Sequence, residues 1–191
     1  MNTIDAIAQR RSIRKYADKA VSDETIKKIL KAATQAPSGK NRQPWRFIVV
    51  RGEPREKMIE AMQAGLDKIT ARGENTGSAK WTLQIMAQTL VTIFIFNEDG
   101  IHPWQPHSID HNFSNIVNLQ SIGAAIQNMC LASLELGLGT LWIADTLYAY
   151  EALCEFLHMD CQMVAALAIG YPDEAPEARK RKTIDEVTRW L

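Results

Sequence analysis

The chain is poor in cysteine, and its three, Cys130, Cys154 and Cys161, are odd in number and form no CxxC pair. That argues against a disulfide framework and against a zinc ribbon. No apolar run is long and uninterrupted enough to span a bilayer. Charge of one sign is lacking too. The 22 basic and 22 acidic residues cancel, and a neutral surface is a poor match to a phosphate backbone, so no nucleic-acid partner is expected. There is no internal repeat, no low-complexity tract and no dinucleotide-binding glycine fingerprint. Residues Met1 to Asp5 lack the basic start and apolar core of a signal peptide. With the cysteine usage, this predicts a cytoplasmic protein without a membrane partner.

What is present fits one globular domain over residues 1–191, with 46% hydrophobic and 23% charged residues. Asn2 or Thr3 can cap a first helix carrying Ile4, Ile7 and Ala8. Ser22, followed by Asp23 and Glu24, opens a second helix with Ile26, Ile29, Leu30 and Ala33 at core spacing, ending before Pro37. Met58, Ile59, Met62 and Leu66 mark a third helix after the Gly52-Glu53-Pro54 turn. Residues 80–88 form a short helix, and 114–136 form the longest, apolar around much of its circumference and therefore expected to be central. Gly137-Leu138-Gly139 ends it, and Asp145 is a candidate cap for a further helix. Three apolar runs, Phe47 to Val50, Leu90 to Phe96 and Met163 to Ile169, read as strands. Since strands and helices do not alternate regularly, an α+β fold in three layers is expected.

Two features of this pattern point to a ligand. Arg10, Arg11, Arg14, Lys15 and Lys19 crowd one end of the sequence, and Arg179, Lys180, Arg181 and Lys182 crowd the other. They are either solvated charge runs or the two halves of a site for a small anion. Between the second helix and the first strand, Pro37 to Pro44 packs small, amide and cationic side chains between two prolines. That stretch is either a plain polar connection or an ordered loop offering donors to a planar polar ligand.

Four stretches, in order, resemble the nitroreductase family over nearly the whole chain. They are Arg10-Arg11-Ser12-Ile13-Arg14-Lys15-Tyr16; the Pro37 to Phe47 loop, similar to P-S-x-x-N-x-Q-P-W-x-F; Gln127-Asn128-Met129 with Gly137-Leu138-Gly139-Thr140-Leu141-Trp142-Ile143; and Gly170-Tyr171-Pro172 with Arg179, Arg181 and Glu186-Val187. The resemblance implies a central mixed, mostly antiparallel sheet flanked by helices. It also implies FMN as cofactor, NADH or NADPH as transient electron donor, and a homodimer with FMN at the subunit interface. The implied reaction is ping-pong hydride transfer from NAD(P)H to flavin N5 and on to a small-molecule acceptor such as a nitroaromatic or quinone.

Residue by residue, the resemblance assigns Arg10, Ser12, Arg179 and Arg181, with Arg11 beside them, to the flavin phosphate. Forked guanidinium donors suit phosphate oxygens. Arg14 falls where the family has a cation near the pyrimidine edge, a fixed charge suited to the anionic reduced ring. Pro37, Ser38, Gly39, Asn41 and Gln43 are implied ring and ribityl contacts reaching across the subunit boundary. Gly139 and Thr140 match a turn whose amides face N5 and the C4 carbonyl, and with Arg14 they are the expected catalytic positions. Gln120 and Thr183 depart from the family pattern, which commonly has an acidic residue and a proline there.

Residues 97–113, broken by Gly100, Pro103 and Pro106, are read as irregular and as a candidate lid. His102, His107, Asp110 and His111 within it are either divalent-metal ligands or a solvated, substrate-facing loop, and the flanking prolines disfavour the first. Trp104, Phe113 and Trp81 are candidates for an aromatic cover, and no role is assigned to the cysteines. Three rival activities remain: a specialised flavin oxidase, dehalogenase or flavin-cleaving enzyme; a flavin-binding protein without turnover; and a metal enzyme built on the histidines.

Overall fold

The computed structural model of the chain describes residues 2–191. Its strands are β1 (Trp45–Arg51), β2 (Val91–Asn97), β3 (Gly139–Ile143) and β4 (Gln162–Gly170), joined in one sheet in the order β1-β2-β4-β3. All three pairings are antiparallel. The mixed character expected of the sheet is confined to one isolated parallel bridge, Ser12 with Thr140. Helices α2 (Asp23–Ala33) and α5 (Ile109–Glu135) cover one face. Helices α3 (Pro54–Ala71), α4 (Ala79–Gln88) and α6 (Tyr150–Leu157) cover the other.

The side-chain period of two explains why β2 and β4 read as unbroken apolar runs. Val91, Ile93 and Ile95 point toward α2 and α5, while Phe94 and Phe96 point toward α3, α4 and α6. Both faces are covered, so both residue sets must be apolar. Strand β4 follows the same rule until its register shifts opposite Ile95 and Phe96, where Ala165 and Met163 are the successive partners. One extra residue at that bulge turns Met163 onto the face it occupies.

Local chemistry accounts for most helix ends. Asn2 and Ser22 accept amide hydrogens from Asp5 and Thr25 and cap α1 (Thr3–Gln9) and α2. Ser108 caps α5 by accepting from the His111 amide at 3.2 Å. Helix α5 therefore starts inside the stretch expected to be irregular, because a capping serine directly follows the Pro103–His107 coil. It ends in a Schellman-type turn, with Gly137 at φ 75° and the Leu138 amide donating to the Ser133 carbonyl at 2.8 Å. Asp145 does not cap α6. A 3-10 turn, Asp145–Ala149, comes first, and the carboxylate is engaged elsewhere. At the C-terminal end α7 (Ile184–Val187) is held by a capping box between Thr183 and Glu186, which accounts locally for a threonine where the family often has proline.

Helix α3 crosses the 3-10 turn very closely at Gly65, where an added Cβ would fall 2.3 Å from the Ala149 Cβ and 2.4 Å from its Cα. Gly65→Ala is expected to lower the unfolding free energy by about 1–3 kcal/mol despite alanine's better helix propensity. A urea titration would show it as a lower midpoint at unchanged slope, and an unshifted midpoint would mean that α3 slides freely.

Candidate functional site

The site begins where α1 stops. From Ser12 to Ala17 the chain is extended and stitched on both sides. The Ile13 amide donates to the Thr140 carbonyl at 2.9 Å, the Ala17 amide to the Tyr171 carbonyl at 2.9 Å, and the Asp173 amide to the Lys15 carbonyl at 3.0 Å. Glycines permit the close approach. A Cβ on Gly139 would sit 2.5 Å from Ile13, and one on Gly170 would sit 2.9 Å from the Tyr16 ring. Tyr16 is buried beneath the segment and donates to the Ile13 carbonyl at 2.8 Å. Burial, with the Glu174 carboxylate nearby, pushes its phenol far above the usual range. Glu174 in turn accepts the backbone amides of Arg14 and Lys15.

This strap brings the two basic clusters together. Arg10, Arg11, Ser12 and Arg14 line a cavity of about 230 Å³ with Arg179 and Arg181, closed by Pro176 and Glu177. Five guanidinium groups and a hydroxyl face one carboxylate there. Arg11 is partly committed, donating to the Ala8 and Arg10 carbonyls at 2.7 and 2.9 Å, where it caps the end of α1. Arg10, Ser12, Arg179 and Arg181 retain donors for an anion.

Arg14 also belongs to a second cavity, of about 250 Å³, with Trp81, Trp142, Ser78, Thr82, Ala144 and Asp145 on its walls. The Arg14 guanidinium lies 5.4 Å from the Trp81 ring centroid, a cation–π contact, and donates to the Ser12 carbonyl at 3.1 Å. Asp145 ties the β3 exit to α4, accepting from the Ser78 hydroxyl at 2.8 Å and the Thr82 hydroxyl at 2.5 Å. An anion-binding cradle and an aromatic-walled chamber are thus joined through one arginine. Such a pair of cavities can hold a molecule with a phosphate at one end and a planar ring at the other.

Not every expected residue falls there. Gly139 and Thr140 are not a turn. They start β3, are buried, and back a third cavity beside Arg10, Ile13 and Cys130. The opposite end of the strand, Ala144 and Asp145, faces the tryptophan chamber. These two and Ser78 were missed because β3 was read as a turn; a strand placed over 139–143 puts its exit at Ala144.

The 37–43 loop lies apart. A 3-10 turn over Gly39–Asn41 docks on α5, with Gly39 against Val117 and its amide 3.4 Å from the Ser121 hydroxyl. Lys40, Asn41 and Gln43 take left-handed φ angles of 52°, 54° and 53°, and the Ser38 hydroxyl accepts the Gln43 amide at 3.0 Å. Ser121 and Cys130, the α5 residue beside Arg10, are separated by roughly 13 Å of helix rise. Pro37, Ser38, Gly39, Asn41 and Gln43 line none of the three cavities around Arg10 and Arg14.

The histidines also separate. His102 packs on Trp104 and Tyr150 at 5.3 and 4.7 Å, with Nε2 3.6 Å from Glu151. His107 and His111 have ring centroids 6.2 Å apart. Among the described residues, no group of three or more His, Cys, Asp or Glu is placed to hold a metal. Trp104 and Phe113 do not line the Arg14 chamber, whereas Trp81 does. The thiols are free, and burial raises all three, Cys154 to about 11.

An α+β fold with this paired cavity offers a site for a two-ended ligand, and the sequence comparison gives its class. The Nitroreductase family profile matches residues 7–171. The chain belongs to the nitroreductase family. A relative from Archaeoglobus fulgidus, described as "Putative NADH dehydrogenase/NAD(P)H nitroreductase", is 33% identical over 96% of this chain and 94% of its own length. Among solved structures, a BluB-like flavoprotein from Clostridium difficile 630 superposes with TM-score 0.82 at 26% identity, covering 100% of this chain and 99% of that one. A nitroreductase from Desulfovibrio desulfuricans solved in complex with FMN, itself described as putative, superposes with TM-score 0.76 at 29% identity, covering 100% and 98%.

Because Glu174 fastens the strap from the tail side, Glu174→Ala is expected to speed exchange of the Arg14 and Lys15 amide hydrogens at least tenfold while core β2 amides stay protected. Hydrogen-exchange mass spectrometry of the 10–17 peptide would read this. Unchanged exchange would assign the fastening to the backbone bonds alone.

Proposed function

We propose that the protein is an FMN-dependent NAD(P)H oxidoreductase acting as a homodimer on small aromatic acceptors. The observation that carries this reading is the continuity of the five-arginine cradle with the Trp81–Trp142 chamber through Arg14. The residues fit the cofactor on chemical grounds. Among the described residues the Arg10, Arg179 and Arg181 side chains make no hydrogen bond, and with the Ser12 hydroxyl they suit a phosphate dianion, while the second cavity, with Trp81 on one wall and the β3 edge on the other, suits a planar ring. FMN, when bound, supplies acceptance of hydride from NAD(P)H and its return to an oxidised acceptor. Every other contribution belongs to the chain. Arg10, Ser12, Arg179 and Arg181 hold the phosphate. Arg14, its orientation fixed by Trp81 and the Ser12 carbonyl, sets a positive charge at the boundary between phosphate and ring compartments, where it favours a ring that gains negative charge. The backbone at Ala144, where β3 leaves the sheet, takes the ring-facing place that Gly139 and Thr140 were expected to hold. Donor and acceptor approach the ring in turn from the open side of the chamber.

The homodimer reading rests on two observations. The 37–43 loop lines none of the cavities around Arg10 and Arg14 of its own chain, which supports contacts from Pro37, Ser38, Gly39, Asn41 and Gln43 to the flavin of a second copy. Large apolar side chains are also left in solvent on adjoining elements: Ile4 and Ile7 of α1 at 73% and 52% exposure, and Ile109, Phe113 and Ile116 of α5 at 87%, 70% and 56%. Exposed apolar side chains grouped along one helix in this way are of the kind that a partner covers.

The purified protein is expected to be yellow and to bleach on anaerobic addition of NADH or NADPH. A colourless protein, or a yellow one that neither donor bleaches, would overturn the reading. Arg14→Ala should keep the fold, weaken FMN about tenfold or more and slow its reduction. Asn41→Ala and Gln43→Ala should each lower flavin content with little change in thermal midpoint. Wild-type flavin content in both would remove the loop from the site, and a monomeric mass in solution would sink the cross-subunit assignment.

A further inference from the structure

The chamber holds one charged group that the flavin reading does not use. Asp145 stands where β3 ends, and both of its described hydrogen bonds, from Ser78 and Thr82, reach the same oxygen, Oδ2. Among the described residues, Oδ1 has no hydrogen-bond partner, and Asp145 lines the cavity with Trp81 and Trp142. The nearby cation is already engaged. Arg14 lies over Trp81, donates to the Ser12 carbonyl and borders the anion cradle, where its charge is shared with the phosphate contacts. A ligand that approaches past Trp81 therefore meets a carboxylate oxygen at the wall. Its geometry is set by Ser78 and Thr82, which lie one turn apart on the same wall, at the N-cap and in the first turn of α4, and clamp Oδ2 together.

Resting on the function proposed above, we infer that Asp145 is a specificity-determining residue. Through Oδ1 it selects neutral aromatic ligands that carry a hydroxyl or amino donor, and it disfavours ligands that carry a carboxylate. The physical basis is asymmetric. A donor on the ligand satisfies an oxygen that otherwise gives up water when the chamber fills. A second carboxylate brought against the first is repelled in a partly desolvated cavity where screening is weak. Ser78 and Thr82 are positioning residues in this account, since they aim the carboxylate and touch no ligand atom.

The test uses oxidised protein as purified, without NAD(P)H, so that binding is read apart from turnover. Calorimetric titration compares 4-nitrobenzyl alcohol with 4-nitrobenzoate, which have the same nitroaromatic ring and differ in donor and charge. The wild type is expected to bind the alcohol about tenfold or more tightly than the benzoate, and Asp145→Asn to bring the two within about threefold. The double variant Ser78→Ala/Thr82→Ala retains the carboxylate. It is expected to go on excluding the benzoate while binding the alcohol more weakly, which keeps the idea testable should Asp145→Asn misfold. Equal wild-type affinities, an unchanged ratio in Asp145→Asn, or loss of discrimination in the double variant would each overturn the assignment. The visible spectrum of the same sample separates the two levels of argument. A colourless sample refutes the flavin function, yet the titration still reports on a cavity built from the chain's own residues.

Discussion

The approach of the Ser12–Ala17 strap to the sheet is the contact on which the other site features rest. A strand edge and a tail close on it from opposite sides, and two glycines, Gly139 and Gly170, leave the space that Ile13 and Tyr16 fill. With those side chains seated, Ser12 and Arg14, which flank Ile13, are left only partly buried and line the cradle. The orientation of the cations follows from the burial of their neighbours. Tyr16 makes the arrangement hard to loosen, because its hydroxyl is bonded under the strap and its phenol resists ionisation there.

The cradle is costly for the empty protein. Five guanidinium groups share a small cavity with a single lining carboxylate, Glu177, and like charges at that spacing repel. An anion relieves this, which makes the site a sink for a phosphate group and ties its filling to stability. The chamber beyond Arg14 has the opposite character, with the Trp81 indole, the apolar β3 edge and few charges. Steep contrast across one arginine orders a two-ended ligand better than either cavity alone, since reversing the ligand would place phosphate against indole and ring against guanidinium.

Much of this could be read from the residues before folding. Strands β2 and β4 were legible because both of their faces are buried, and the Asn2 and Ser22 caps because capping is local chemistry. The meeting of the two arginine clusters in one cavity was one of the two readings allowed by charge crowded at two distant places in a neutral chain. Other features were hidden for physical reasons. Strand β3 has five residues and begins at a glycine that its neighbour Ile13 demands, so its short run resembled the helix-ending turn before it. The bulge in β4 leaves no composition signal, since Val164 and Ala165 are ordinary strand residues. Trp81, Ala144 and Asp145 join the site only after α4 packs against the end of β3, a long-range meeting with no local pattern. Within residues 97–113, the packing of Trp104 and His102 on Tyr150, whose ring offers them an edge-on partner, left no local pattern either.

The closure of the strap by the tail also has a meaning in time. Arg10 and Ser12 leave the ribosome before Tyr171 to Arg181, with roughly 10–30 s of synthesis between them. Until the later segment arrives, the early arginines have neither the hydrogen bonds that aim them nor the second pair of guanidinium groups that completes the cradle. A nascent chain therefore carries a basic N-terminal stretch that cannot yet retain a cofactor, and loading becomes an event of the finished polypeptide.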